Sequence, residues 1–312
     1  MNIFVAGATG AVGRPMVDRL LQAGHTVAAI TRSEARCEEL QMRGVKAIVL
    51  DVFDRDKLRQ AVIEAQPEVL INQLTSIPKN LDVRRMAQEF MQTNRLRTEG
   101  AQILMEVAVA AGARRVIAQS YGAFYAPDKP GLATEEDPLY LDAPAAFVEL
   151  VRAVERLEHT VLNTPGISGS ILRYGHFYGP GTGYAIRDGA IADTVRRRQM
   201  PILGGGNGVF SFIHVEDAAE ATLHALQNGE PGIYNIVDDD PAPLHEWAPV
   251  YTGLLGAPPP MRLPKLLGRL VAGRYAVYFM DEMRGASNQK AKRQLGWQPR
   301  YASWREGFRA EV

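Results

Sequence analysis

The chain has 312 residues, with 35 Lys+Arg balanced by 35 Asp+Glu, and 46% of its residues are hydrophobic. That length and core content suit one large α/β domain or a main domain with a smaller partner. The even charge excludes the basic footprint of a nucleic-acid or anionic-membrane binder. One cysteine, Cys37, excludes a disulfide framework and a Cys-based zinc site, and the six His show no paired metal spacing. No apolar run approaches the roughly 20 residues of a membrane span, and the N-terminus reads as a strand rather than a signal peptide. The expectation is a cytoplasmic protein with a small-molecule substrate and no metal, nucleic-acid or membrane partner.

The first half alternates between strand and helix patterns. NIFVAGA is a short apolar run ending in glycine, the mark of a buried strand. Val12, Met16, Val17, Leu20 and Leu21 then recur at helical spacing, with Gly24 as a C-cap. HTVAAIT is a second strand, followed by a helix that Ser33 opens and Gly44 closes. VKAIVLD, RDKLRQAVIEAQ and PEVLINQL read as strand, helix, strand; a long helix is predicted from about Val83 to Ala111. RRVIAQS is a fifth strand, about Pro144 to Leu162 a second long helix, and SGSILRYG a sixth strand. This order predicts right-handed βαβ units and a Rossmann-type, doubly wound parallel sheet. The rhythm breaks at GPGTG and LGGGNG, so residues 1–175 read as the dinucleotide-binding domain. Residues 176–312 read as mostly a smaller substrate-binding lobe, with part of that later chain returning to the sheet.

GATGAVG places Gly7, Gly10 and Gly13 between the first strand and the first helix. Gly7 turns the chain, Gly10 lets a pyrophosphate approach the backbone, and Gly13 lets the helix pack close. The helix N-terminus offers free N–H groups and partial positive charge to the phosphates. Thr9, Ala11 and Val12 complete that loop.

The glycine spacing resembles the short-chain dehydrogenase/reductase superfamily. DVFDRDKL, TNRLRTEGAQILMEVAVAAGARRVIAQS, LRYGHFYGPGTG, FSFIHVEDAAEATLHAL, YNIVDDDP and SNQKAKRQLGWQPRYASWREGF resemble landmarks of its extended, epimerase/dehydratase-like branch. The resemblance spans nearly the whole chain. It implies an oxidoreductase with a nicotinamide cofactor, with Asp51 and Val52 flanking the adenine and Leu74 and Thr75 passing under the cofactor. It also places Asn94, Gln119, Tyr174 and Phe177 against the cofactor.

After the second strand the chain reads AITRSEAR. A guanidinium and a hydroxyl, Arg32 and Ser33, suit a 2′-phosphate, whereas a carboxylate there would bind the ribose of NAD. NADP(H) is therefore favoured over NAD(H). The competing reading makes Arg32 a solvated residue and Ser33 only a helix cap, with Glu34 turned toward a ribose.

The superfamily pattern carries a Tyr and, four residues later, a Lys that holds the ribose and lowers the Tyr pKa. A Glu follows in the extended branch. Matching that Glu to Glu155 puts Phe147 where Tyr belongs and Val151 where Lys belongs, and positions 140–160 contain no Lys. The usual acid/base couple is missing. Candidates to replace it lie in QSYGAFYAP: Tyr121, with Ser120 beside it and Tyr125 beyond. The alternatives are that the tyrosines only wall the pocket and that Ser120 ties down its own loop.

His176 and Tyr178, with Phe147 and Val151, are candidate substrate-lining residues. His176 is open as either an acid/base or a packed structural residue. His214 and Asp217 read as structural. Where a nucleotide-sugar enzyme of this branch carries an Arg for the diphosphate, this chain has Phe210; Arg187 or Arg274 is the alternative cation. The cavity reads as apolar and aromatic.

The leading expectation is an NADPH-dependent reductase of an apolar or aromatic carbonyl, enone or imine. The alternatives are a non-catalytic cofactor-binding sensor, a nucleotide-sugar epimerase or dehydratase, and a non-redox cyclase or isomerase. The resemblance also implies a homodimer through the two long helices. Their apolar residues Val107, Val109, Val148 and Val151 are equally explained by packing on the sheet.

Overall fold

Strand β1 (Asn2–Ala6) enters the glycine loop, and α1 (Gly13–Gln22) leads back to β2 (Thr26–Thr31) in a computed structural model that describes residues 1–78, 82 and 85–312. Next come α2 (Glu34–Met42), β3 (Lys46–Val49), α3 (Arg55–Ala65) and β4 (Val69–Asn72). Ser33 and Asp54 cap α2 and α3 by accepting from Arg36 N and Lys57 N, satisfying donors the helix starts leave open.

The single long helix predicted from about Val83 is divided. Val83 lies outside the described residues. Past it run α4 (Met86–Glu89), α5 (Met91–Arg95), a π-helical turn over Leu96–Gly100, and α6 (Ala101–Ala110). Then follow β5 (Arg115–Tyr121), α7 (Ala145–Leu162) and β6 (Ser168–Tyr174). The π turn packs on α7.

After β6 the chain builds β7 (His176–Tyr178), α8 (Ala190–Arg196), β8 (Ile202–Leu203), β9 (Val209–Phe210), β10 (Phe212–His214) and α9 (Val215–Asn228). It closes with β11 (Gly232–Ile236), β12 (Ala242–Pro243), α10 (Leu244–Leu254), β13 (Arg262–Leu263), α11 (Lys265–Val277), α12 (Gln289–Leu295) and α13 (Trp304–Ala310).

Seven strands form one parallel sheet in the order β11-β6-β5-β4-β1-β2-β3. The order reverses between β1 and β4, which opens a crevice at the strands' C-terminal ends. The doubly wound sheet read from the sequence is present, and β11 is the later segment that returns to it. On one face, α1 packs Met16, Val17 and Leu20 with Ala218 and Leu226 of α9. On the other, Leu104 and Val107 of α6 meet Leu157 and Val161 of α7. Each large side chain so buried contributes about 1.5–3 kcal/mol.

A third core is aromatic and joins α7 to the lobe, with Phe124, Phe147, Phe210, Phe212, Trp247, Tyr278 and Phe308 among its members. Of the four valines considered for a dimer face, Val107, Val148 and Val151 are buried within the subunit, while Val109 is 48% exposed. Among the described residues no helix is long and apolar enough to cross a membrane.

Candidate active site

The glycine loop is built for close approach. Gly7 has φ +99, and a Cβ there would lie 2.7 Å from the Gln73 backbone at the end of β4. A Cβ on Gly13 would lie 2.1 Å from the Gly7 carbonyl, so only glycine lets α1 begin so near the sheet. This cradle and the start of α1 fit a dinucleotide's pyrophosphate. Thr9 and Ala11 are half-buried at the loop surface, Gly10 is exposed, and Val12 is buried.

Past β2, Arg32 is exposed and makes no hydrogen bond or ion pair among the described residues. Ser33 is committed to capping α2, through a 3.4 Å bond from Arg36 N. Arg36, which the sequence reading passed over, reaches back to the glycine loop, its Nη1 3.4 Å from Thr9 Oγ1. One guanidinium thus reaches the loop, and a second, Arg32, stands four residues earlier in the sequence, between β2 and α2.

Asp51 accepts from Phe53 N at 3.0 Å, and Val52 is buried beside it. Leu74 N donates to Asn72 Oδ1, and Leu74, Thr75, Asn94 and Gln119 are half-buried at the crevice side of the sheet. Phe177 is half-buried, 5.2 Å from Tyr174 between ring centres. Tyr174 corrects an expectation: its side chain is fully buried, its hydroxyl tied to Thr222 and Gln73, so it is a core residue and not a cofactor contact.

The helix landmark also needs correction. Glu155 is exposed, whereas Glu158 is buried and pairs with Arg173 on β6 at 2.6 Å. Counting the missing couple back from Glu158 moves it to Leu150 and Val154, both fully buried. In either register the helix presents apolar side chains and no Tyr or Lys. Phe147 and Val151 are 1% and 0% exposed, sealed behind other side chains rather than lining open space. The Phe147 ring is covered by Tyr275 and Tyr278, at 5.2 and 4.9 Å between centres.

Ser120 and Tyr125, expected near the chemistry, belong to a buried polar network. Ser120 Oγ donates to Glu158 Oε1 at 2.7 Å, Arg173 donates to Glu158 and to the Tyr125 hydroxyl, and Tyr125 donates to Asn235 Oδ1. Burial pushes the Tyr125 phenol up to about 12, with Arg173 and Asn235 opposing. The network pins β5, α7, β6 and β11 together, and a residue whose hydrogen bonds are all spent in the core has none left for substrate.

Tyr121 and His176 remain together in the crevice, both half-buried. Tyr121 Oη lies 2.9 Å from His176 Nε2, and His176 Nδ1 lies 3.4 Å from the Ser211 carbonyl. That carbonyl can only accept, so Nδ1 carries the imidazole proton and Nε2 accepts from the phenol. Burial pulls the His176 pKa down to about 4, with the Ser211 carbonyl opposing. Burial also lifts the Tyr121 pKa well above its usual value, helped by Tyr275, Tyr184 and Tyr278 and opposed by Arg97. Both groups are therefore neutral across the physiological range.

Around them stand Phe124, Phe210, Tyr184 and Phe279, with His176 4.5 Å from the Phe210 ring centre and 6.0 Å from that of Phe279. Phe210 itself is buried against Trp247. Tyr178 is another correction: it is fully buried under α13, where a Cβ on Gly307 would strike its hydroxyl, and cannot line a pocket. His214 and Asp217 are structural. His214 accepts from Glu216 N at the start of α9, and Asp217 accepts from Arg300 N and Tyr301 N. Arg187 and Arg274 are exposed.

Residues 3–237 match the model of the NAD dependent epimerase/dehydratase family. A 3-diazoavenalumate denitrifying reductase from Streptomyces sp. is 43% identical over 312 residues, covering 100% of each chain. A 4-hydroxy-2-methyl-3-oxo-4-farnesyl-3,4-dihydroquinoline-1-oxide ketoreductase from Stigmatella aurantiaca is 25% identical, covering 95% of this chain and 92% of its own. In fold, the chain is similar to a dTDP-glucose 4,6-dehydratase from Streptomyces venezuelae solved with NAD and TYD bound. The TM-score is 0.77 at 21% identity, covering 100% of this chain and 96% of the other.

Proposed function

Because the chain belongs to the NAD dependent epimerase/dehydratase family, we propose that it is a nicotinamide-dependent reductase whose acceptor needs hydride but no proton, an arenediazonium. The observation that carries this reading is the neutral Tyr121–His176 pair in a pocket that has no Tyr/Lys couple. A phenol that gives its proton to a neutral imidazole is a poor base and a reluctant acid.

A bound reduced nicotinamide would supply hydride; an arenediazonium that took it at the ring carbon would lose N2 and become a neutral arene, so charge and protons balance without a general acid. The relative at 43% identity is named for a diazo substrate and for denitrifying reduction. The chain's own part is to hold the acceptor flat among Tyr121, Tyr184, Phe279 and His176 and to keep out water that would compete for the diazonium carbon.

For the cofactor, the exposed Arg32 past β2 and Arg36, which reaches Thr9 of the glycine loop, favour NADPH, since two guanidinia suit a 2′-phosphate. A second reading, reduction of an aromatic ketone, is favoured by the half-buried Tyr121 hydroxyl, a phenol that could protonate an alkoxide. A nucleotide-sugar substrate is disfavoured by Phe210, which is buried against His176 and Trp247 where a diphosphate would need a cation.

The test is a single turnover with C4-deuterated NADPH and a carboxylated benzenediazonium, against a control without cofactor. One N2 released per NADPH oxidised, with deuterium on the ring carbon, is the expected result. NADPH oxidised by aryl ketones and not by the diazonium would sink the reading in favour of the second.

A further inference from the structure

Arg97 lies in the π turn between α5 and α6, the part of that helix that packs on α7. Turns of this kind are frequent at functional sites. Arg97 is 6% exposed, and its guanidinium makes no hydrogen bond or ion pair among the described residues; Nη1 is sealed from solvent as well. Glu158, a carboxylate that favours its charge, is already bonded to Arg173 and Ser120. The positive charge of Arg97 also acts on Tyr121 and Tyr275, two half-buried tyrosines that the Phe124 and Phe279 rings join into one aromatic group. The Tyr275 hydroxyl likewise has no hydrogen-bond partner among the described residues.

A buried cation without a counter-ion is costly, and buried groups perturbed in this way cluster at functional sites. Burial lowers the Arg97 pKa only to about 10, so the charge persists at neutral pH. We infer that Arg97, together with the Tyr275 hydroxyl, is the anchor for a carboxylate on an aromatic substrate. The chemistry suits this class of ligand: a planar fork of donors would take the carboxylate, and the neighbouring rings of Tyr121, His176 and Phe279 would take the aromatic part. The inference rests on the reductase reading only in identifying the pocket as the substrate site. It concerns the acid group, whatever the reducible group is.

The test uses a non-reducible pair, 2-naphthoate and 2-naphthamide, titrated by calorimetry into the full chain with saturating NADP+ and again without it. In the wild type the naphthoate is expected to bind about 10-fold or more tighter than the amide, the weight of a charge-assisted pair. Arg97→Met should bring the two ligands level, and Arg97→Lys should keep part of the preference. Should Arg97→Met fail to fold, Arg97→Lys and Tyr275→Phe carry the comparison, each expected to narrow the preference. Equal binding of the two ligands by the wild type, no binding of the naphthoate, or an unchanged preference in the folded variants would overturn the inference. Because neither ligand is reducible, failure here leaves the diazonium experiment untouched, and a negative diazonium experiment leaves this one standing.

Discussion

The Tyr121 hydroxyl donates to a histidine that is itself held neutral: His176 Nε2 accepts at 2.9 Å while Nδ1 faces the Ser211 carbonyl. Neither ring changes charge near neutral pH. The rate of hydride transfer in single turnover should therefore be level from about pH 5.5 to about pH 9, the range between the lowered imidazole and the raised phenol. Stopped-flow NADPH oxidation would check it, and a bell with a limb near pH 7 would point to an ionising catalyst.

The same histidine makes stability depend on acid. Its folded pKa, about 4, lies below the ordinary 6.5, so the unfolded chain takes up the proton first as pH falls. Its contribution is complete above about pH 6.5 and is lost progressively as pH drops through that value toward 4, to the extent of up to ~3 kcal/mol. Denaturant melts at pH 7 and pH 4.5 should show a smaller acid loss in His176→Phe than in the wild type.

Replacing Tyr121 by Phe separates the two candidate reactions. It leaves His176 Nε2 without its donor, at about 1–3 kcal/mol of stability. If the acceptor needs no proton, single-turnover reduction should change by less than about 3-fold. A phenol acting as general acid would instead cost roughly 10²–10⁴-fold.

The two arginines past β2 predict a cofactor preference. Arg32→Ala and Arg36→Ala should each weaken NADPH binding by about 10-fold and leave NADH within a factor of about two, because the lost contact is to the phosphate alone. Nicotinamide fluorescence titrations read both. Equal weakening of the two cofactors would assign the arginines to the shared part of the dinucleotide.

Glu158 is the hub of the buried polar network, and Glu158→Ala strands Arg173 without its partner. The expected loss is about 3–5 kcal/mol. Ser120→Ala, which removes one bond to the same carboxylate, should cost only about 1 kcal/mol. Chemical denaturation of the two variants would test the ratio.

The sheet and the glycine loop were legible in the sequence because local pattern dictates them: apolar runs mark buried strands, and Gly7 and Gly13 occupy positions where a Cβ has no room. The missing Tyr/Lys couple was legible too, although its register on α7 was not. Glu155 and Glu158 are one turn apart, and only the fold reveals which of them meets Arg173. Arg97 could not be read as a pocket residue, because it sits in what looks like a polar stretch of a regular helix until the π turn carries it inward. Nor did the sequence show that Tyr125, a candidate for the chemistry, and Tyr178, a candidate for the pocket lining, are core residues. Aromatic side chains after a strand fit a core and a crevice equally well, and burial is decided by segments far along the chain.

Strand β11, at the edge of the main sheet beside β6, is made of residues 232–236, and α9, which covers α1, immediately precedes it. The order in which a ribosome delivers the chain therefore matters. Through the synthesis of some sixty residues after β6, that strand offers an open hydrogen-bonding edge and α1 an uncovered apolar flank. A fragment ending after β6 would not be a smaller version of the protein but a strand-donor trap, prone to pairing with its own copies. The nascent chain is thus a natural client for chaperones until Ile236 has emerged.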